Sequence, residues 1–114
     1  MKKIAAAEAE SFQHGETCLM SEYRLEDDRL DAATAKVSGR YPDEGWVLNR
    51  VSAETAYVLA GSGKLVTEDG ETSLETGDVV LIEPGEKFHW DGKMTLFVTC
   101  APAWKYGQYE HITE

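Results

Sequence analysis

The segment Gly77-Asp78-Val79-Val80-Leu81-Ile82-Glu83-Pro84-Gly85-Glu86-Lys87-Phe88-His89-Trp90 constrains this chain more than any other. A Gly-Asp turn feeds four apolar residues, a length that suits a strand rather than a helix. Pro84-Gly85 then turns the chain, because proline presets one turn position and glycine adopts backbone conformations that other residues avoid. A second strand follows, with Phe88, His89 and Trp90 in succession.

The remaining chain supplies strand signals and little else. Residues 17–25 predict a first strand and 30–41 a longer one that ends at Pro42, which cannot donate to a ladder. Short strands are expected over 46–51 and 55–60. Gly61-Ser62-Gly63 predicts a tight reversal into 64–67, and Asp69-Gly70 is a two-residue hairpin signal leading to 72–74. The apolar run 79–82 reads as a strand in a barrel core, 87–90 follows Pro84-Gly85, and Asp91-Gly92 predicts a turn. Met94, Leu96, Val98 and Cys100 then alternate with Thr95, Phe97 and Thr99, which places them on opposite faces. The tail 102–114, with Trp104, Tyr106, Tyr109 and His111, is expected to cover an open end or edge. The weak periodicity of the first ten residues leaves either one helical turn or disorder. About nine short strands in one chain imply an all-β sandwich or barrel. The expected division is a single domain over 1–114, with an arm at 1–16, a core at 30–101 and the tail.

The chain has 114 residues, enough for one modest core, with 42% hydrophobic and 28% charged residues. Its formal net charge of −10 argues against nucleic acid and against anionic membrane surfaces, both of which select basic patches. No apolar run approaches the roughly 20 residues that span a bilayer. The N-terminus begins like a signal peptide, but Glu8 and Glu10 interrupt its apolar stretch, which predicts a cytoplasmic protein. Cys18 and Cys100 form no CxxC, and two cysteines are too few for a disulfide scaffold, so buried or semi-buried thiols in a reducing compartment are expected.

Two stretches in this order resemble the cupins. Glu54-Thr55-Ala56-Tyr57-Val58-Leu59-Ala60-Gly61 is similar to the Glu-to-Gly half of their first signature, and residues 77–85 are similar to their second. The resemblance implies a single-domain cupin-type β-barrel, a double-stranded β-helix or jelly roll, of about nine to eleven short strands. In that family a His-x-His pair precedes the glutamate. Here the matching positions hold Leu48 and Arg50, or Val47 and Asn49. The family's second-signature histidine should fall at Phe88, and His89 follows by one residue. A one-residue shift turns a strand side chain to the opposite face, although a longer Pro-Gly turn would restore it.

The resemblance therefore implies a pocket, not the usual metal. With no cofactor, the barrel is expected to bind a small organic molecule among Trp46, Asn49, Arg50, Glu54, Tyr57, Phe88, His89 and Trp90. The same aromatics would equally serve as plain core. A second reading is a sugar-type isomerase or epimerase with Glu54 or His89 as general base and Arg50 or Lys64 holding an anion. A third is a divalent transition metal on the reduced set Asn49, Glu54 and His89. Whether the protein is an enzyme stays open. The expected partner beyond the small molecule is a second copy, giving a homodimer through sheet edges.

Overall fold

The computed structural model describes residues 1–113. After a short 3-10 turn at Ala6–Glu8, nine strands follow: β1 (Glu10–His14), β2 (Cys18–Tyr23), β3 (Ala32–Ser38), β4 (Trp46–Asn49), β5 (Ala53–Thr67), β6 (Gly70–Glu75), β7 (Val79–Ile82), β8 (Phe88–Ala101) and β9 (Tyr109–Ile112). All pairings are antiparallel. One continuous sheet runs β1-β2-β3-β8-β4-β9, while β5 pairs with β8 and also carries β6 and β7.

Strands β5 and β8 form the spine, and both are longer than the sequence predicts. Gly61-Ser62-Gly63 is not a reversal. It lies inside β5, where Gly61 pairs with Met94 and Gly63 with Gly92 of β8. Asp91-Gly92 likewise lies inside β8 rather than in a turn. These glycines serve close approach. A Cβ on Gly92 would stand 2.5 Å from the Gly63 Cα, and one on Gly63 would stand 2.7 Å from the Met94 Cε. Glycine inside a strand commonly marks such a barrel corner. A register shift between Val58 and Ala60 resets the alternation, so Ala56 and Val58 before it and Leu65 after it all face the core.

The core gathers Val37, Val47, Val58, Leu65, Leu74, Ile82, Phe88, Trp90, Met94 and Leu96. Met94, Leu96, Val98 and Cys100 are all buried, as their alternation predicts. The run 79–82 is only half core. Ile82 is buried and Val80 packs on the core, whereas Val79 and Leu81 are 62% and 59% exposed. Period-two geometry sends them outward whatever their hydropathy. Tyr57 pairs with Val79 on one side and Phe97 on the other, so these three exposed residues share the outer face.

The N-terminal arm also differs from expectation. Its last part is the strand β1, paired with β2 from Glu10 opposite Glu22 to His14 opposite Cys18. The tail does cover an edge: β9 pairs along β4 from Trp46 opposite Ile112 to Asn49 opposite Tyr109. Gln108 anchors it. Its buried Oε1 accepts from the backbone N–H of Val51 at 3.0 Å and of Ser52 at 2.8 Å. Its Nε2 donates to Ser52 Oγ at 2.8 Å, and that hydroxyl donates to the Pro102 carbonyl at 2.7 Å.

Candidate functional site

Several strands bring polar groups into this apolar interior. Glu54 sits near the start of β5, opposite Cys100 of β8 and Ile82 of β7. It shares the inward face of Ala56 and Val58, two residues being one strand repeat. Asn49 ends β4 on the same face as Val47 and is 3% exposed. Its Nδ2 donates to Glu54 Oε1 at 3.1 Å. The Cys100 thiol contacts the same oxygen at 3.7 Å. Glu54 Oε2 accepts no hydrogen bond from the described residues, and Asn49 Oδ1 is sealed from solvent without a donor.

Burial dominates the electrostatics. It pushes the Glu54 carboxyl up to about 7, against the hydrogen bonds from Asn49 and Cys100, with the Asp31 charge adding to the rise. A buried carboxyl without a cation prefers its neutral form. Burial also pushes the Cys18 thiol up to about 11, with Glu54 contributing, and raises the Cys100 thiol, again with help from Glu54. Both thiols are buried and unbridged, and neither is an activated nucleophile.

Two tyrosines complete the group. The Tyr41 and Tyr109 hydroxyls are 3.3 Å apart. Burial raises both phenols, and the Glu54 charge acts in the same direction on each. They also line an open cleft of about 210 Å³ together with Glu16, Thr17, Asp43, Val47 and His111. Val47, which lines the cleft, is one strand repeat from Asn49 on β4, while Asn49 and Glu54 themselves do not line it.

The pocket expected from the sequence is thus divided. Asn49 and Glu54 come together inside. Phe88 and Trp90 are core, packed edge to face at 6.1 Å. Tyr57 faces outward at 43% exposure. Arg50 is exposed and pairs with Glu110 of β9, not with Glu54. His89 pairs with Val66 of β5 on the face opposite Phe88 and Trp90. Its ring lies 5.3 Å from that of Trp46, also outside the barrel. Burial there, followed by the charge of Arg40, lowers the imidazole pKa. The turn at Pro84-Gly85 therefore does not restore the displaced register, and strand alternation keeps His89 outside. Without His89 the expected set Asn49, Glu54 and His89 retains two donors, fewer than the three protein ligands a catalytic metal ordinarily takes. No group of three or more His, Cys, Asp or Glu side chains suited to a metal occurs among the described residues.

Sequence reasoning misses Tyr41 and Gln108 as interior groups, whereas Cys18 is buried as expected. Tyr41 had one local signal, its position before Pro42 at the end of a strand run. Tyr109 was placed with the covering tail but not at the mouth of a cleft.

A family model described as the EutQ-like cupin domain matches residues 45–98. None of the curated proteins matches the chain. Among solved structures, Streptomyces PAC13 with uridine is 21% identical with a TM-score of 0.90, over 99% of this chain and 91% of that one. The same protein is described as a unique nucleoside dehydratase. An RmlC-like cupin from Shewanella frigidimarina is 17% identical with a TM-score of 0.75, over 92% of this chain and 95% of that one. KdgF from Halomonas sp. is 13% identical with a TM-score of 0.71, over 89% of this chain and 94% of that one. The barrel, the matched stretch and these shared folds together give the chain the fold of a small cupin-type domain.

Proposed function

We propose that this barrel binds a small organic molecule without a metal, in the cleft beside Tyr41 and Tyr109, and that Glu54 acts on it as a general acid–base. The observation that carries the reading is the Glu54 carboxyl, buried among Asn49 and Cys100 with no cation and pushed up to about 7. A group that titrates near neutrality can both take and return a proton at physiological pH, which suits isomerisation, epimerisation or elimination at a carbon bearing a weakly acidic proton. Of the two bases considered for such chemistry, Glu54 is the one on the interior side; His89 stands outside beside Trp46. The Tyr41–Tyr109 pair adds neutral hydroxyls that can orient a hydroxyl or carbonyl.

The test is carbon-13 and nitrogen-15 NMR of the labelled protein, with neutral sugars and nucleosides as probes. Uridine comes first, since it occupies the PAC13 structure that shares this fold. Binding should move the Asn49 side-chain amide and the Glu54 carboxyl carbon together and shift the Glu54 titration. Probes that perturb only the outer face around Trp46 and His89 would overturn the reading.

A further inference from the structure

We propose that the pocket selects molecules with no negative charge that present a hydroxyl or N–H donor to the Asn49–Glu54 pair; this deepens, and rests on, the interior binding site inferred above.

The first argument is the distribution of cations. Among the described residues no lysine or arginine lines the cleft, whose acidic rim residues are Glu16 and Asp43. Arg40, adjacent to Tyr41 in sequence, spends its guanidinium on the backbone carbonyls of Pro42 at 2.6 Å and Gly45 at 3.0 Å. Arg50 pairs with Glu110. His111 contacts the Glu44 carbonyl through Nε2 at 2.8 Å. A phosphate or carboxylate entering the cleft would lose its hydration, meet no positive partner, and face Glu54 across a poorly screened interior. The net charge of −10 opposes its approach as well.

The second argument is the pattern of unused acceptors. Asn49 is 3% exposed, and its Oδ1 has no donor. The amide's other end is committed to Glu54 Oε1, so Oδ1 is left within the interior without a donor. A buried acceptor left without a donor is costly. A ligand that supplies an O–H or N–H beside Glu54 can satisfy that acceptor, whereas an apolar ligand of the same shape leaves it unmet. Sites built around hydrogen bonds discriminate strongly against analogues lacking the group.

Two matched pairs of probes test this: uridine against uridine monophosphate, and glucose against glucose phosphate. Binding is followed by NMR at the Asn49 side-chain amide and the Glu54 carboxyl carbon. The neutral member of at least one pair should bind about tenfold or more tighter than its phosphorylated partner. Asn49→Leu should weaken that neutral probe by about tenfold, and the wild-type comparison stands if this variant does not fold. Phosphorylated probes that bind as tightly as their neutral partners would overturn the charge selectivity and leave the interior site standing. A neutral probe that binds folded Asn49→Leu as tightly as wild type would overturn the acceptor assignment. Probes that leave both groups unmoved, neutral and phosphorylated alike, would overturn the interior site and this proposal with it.

Discussion

Asn49 and Glu54 meet inside the barrel, amide Nδ2 to carboxyl Oε1 at 3.1 Å, although the strands that carry them do not pair with each other. Strand β4 pairs with β8 and β9, and β5 with β6, β7 and β8. Only three residues, Arg50, Val51 and Ser52, separate the two strands. The contact therefore spans the interior instead of a ladder, and it opposes the burial that raises the Glu54 carboxyl.

The pH dependence of stability follows from the burial of Glu54. The Glu54 carboxyl rises from an ordinary 4.5 to about 7 in the folded chain. The folded state thus holds a proton that the unfolded state releases. Stability falls as pH rises from about 4.5 to about 7 and is level above, by on the order of 2 kcal/mol once the residue's remaining accessibility is allowed for. Glu54→Gln should remove this loss and be the more stable protein at pH 8, as read by thermal melts across pH. Asn49→Ala removes a hydrogen bond that favours the charged form, so Glu54 should titrate still higher by carbon-13 NMR. An unchanged pH profile in Glu54→Gln would refute the assignment.

The Gly63–Gly92 corner gives a contrast between two alanine substitutions. At Gly92, φ is +126° and a Cβ would stand 2.5 Å from the Gly63 Cα and 2.8 Å from the Ser62 carbonyl oxygen. At Gly70, φ is +135° and a Cβ meets nothing within 4 Å. Gly70→Ala should cost about 1–2 kcal/mol from backbone strain alone. Gly92→Ala should exceed it by at least about 2 kcal/mol, because backbone must move. Urea denaturation compares the two, and equal losses would contradict a corner sealed by close approach.

Gln108 ties the C-terminal strand to the barrel. Removing it as Gln108→Ala leaves the N–H groups of Val51 and Ser52 without their acceptor. The expected loss is about 1–3 kcal/mol, since the buried Ser52 donor goes unmet while the Val51 donor is open in part to water. Hydrogen exchange should accelerate at Val51, at Ser52 and along β9. Exchange confined to the N-terminal strands would count against this role.

His89 offers a negative control for the interior. Because it packs against Trp46 outside the barrel, His89→Ala should change the tryptophan fluorescence and leave the Glu54 titration in place. A shift in the Glu54 titration comparable with that of Asn49→Ala would place the imidazole near the interior after all.

Much of the fold was legible in local chemistry. The Gly-Asp turn, the four apolar residues after it and the Pro-Gly turn identify two strands from neighbouring residues alone, although these pair with β5 and not with each other, and the alternation of Met94 to Cys100 shows the inner face of β8. Gly61-Ser62-Gly63 and Asp91-Gly92 misled because glycine signals either a turn or a close approach. The partner strand decides which, and here each glycine segment lies against the other. The site was legible only in part. Glu54 and Asn49 could be nominated by resemblance to a family pattern, whereas Tyr41 and Tyr109 are far apart in the sequence and meet only through the pairing of β9 with β4 and the bridge from Tyr41 to Trp90.

The sequence by itself determined an all-β chain, its acidic balance and the alternating faces of Met94 to Cys100, because turn propensity, charge and period-two alternation are properties of neighbouring residues. Only the tertiary structure decided what Glu54 is. A carboxyl's proton affinity depends on how much water and which partners surround it. Those surroundings come from β4, β7 and β8, which the fold brings to one point. It likewise decided that His89 stays outside, since the register of a strand is fixed by the partner it pairs with.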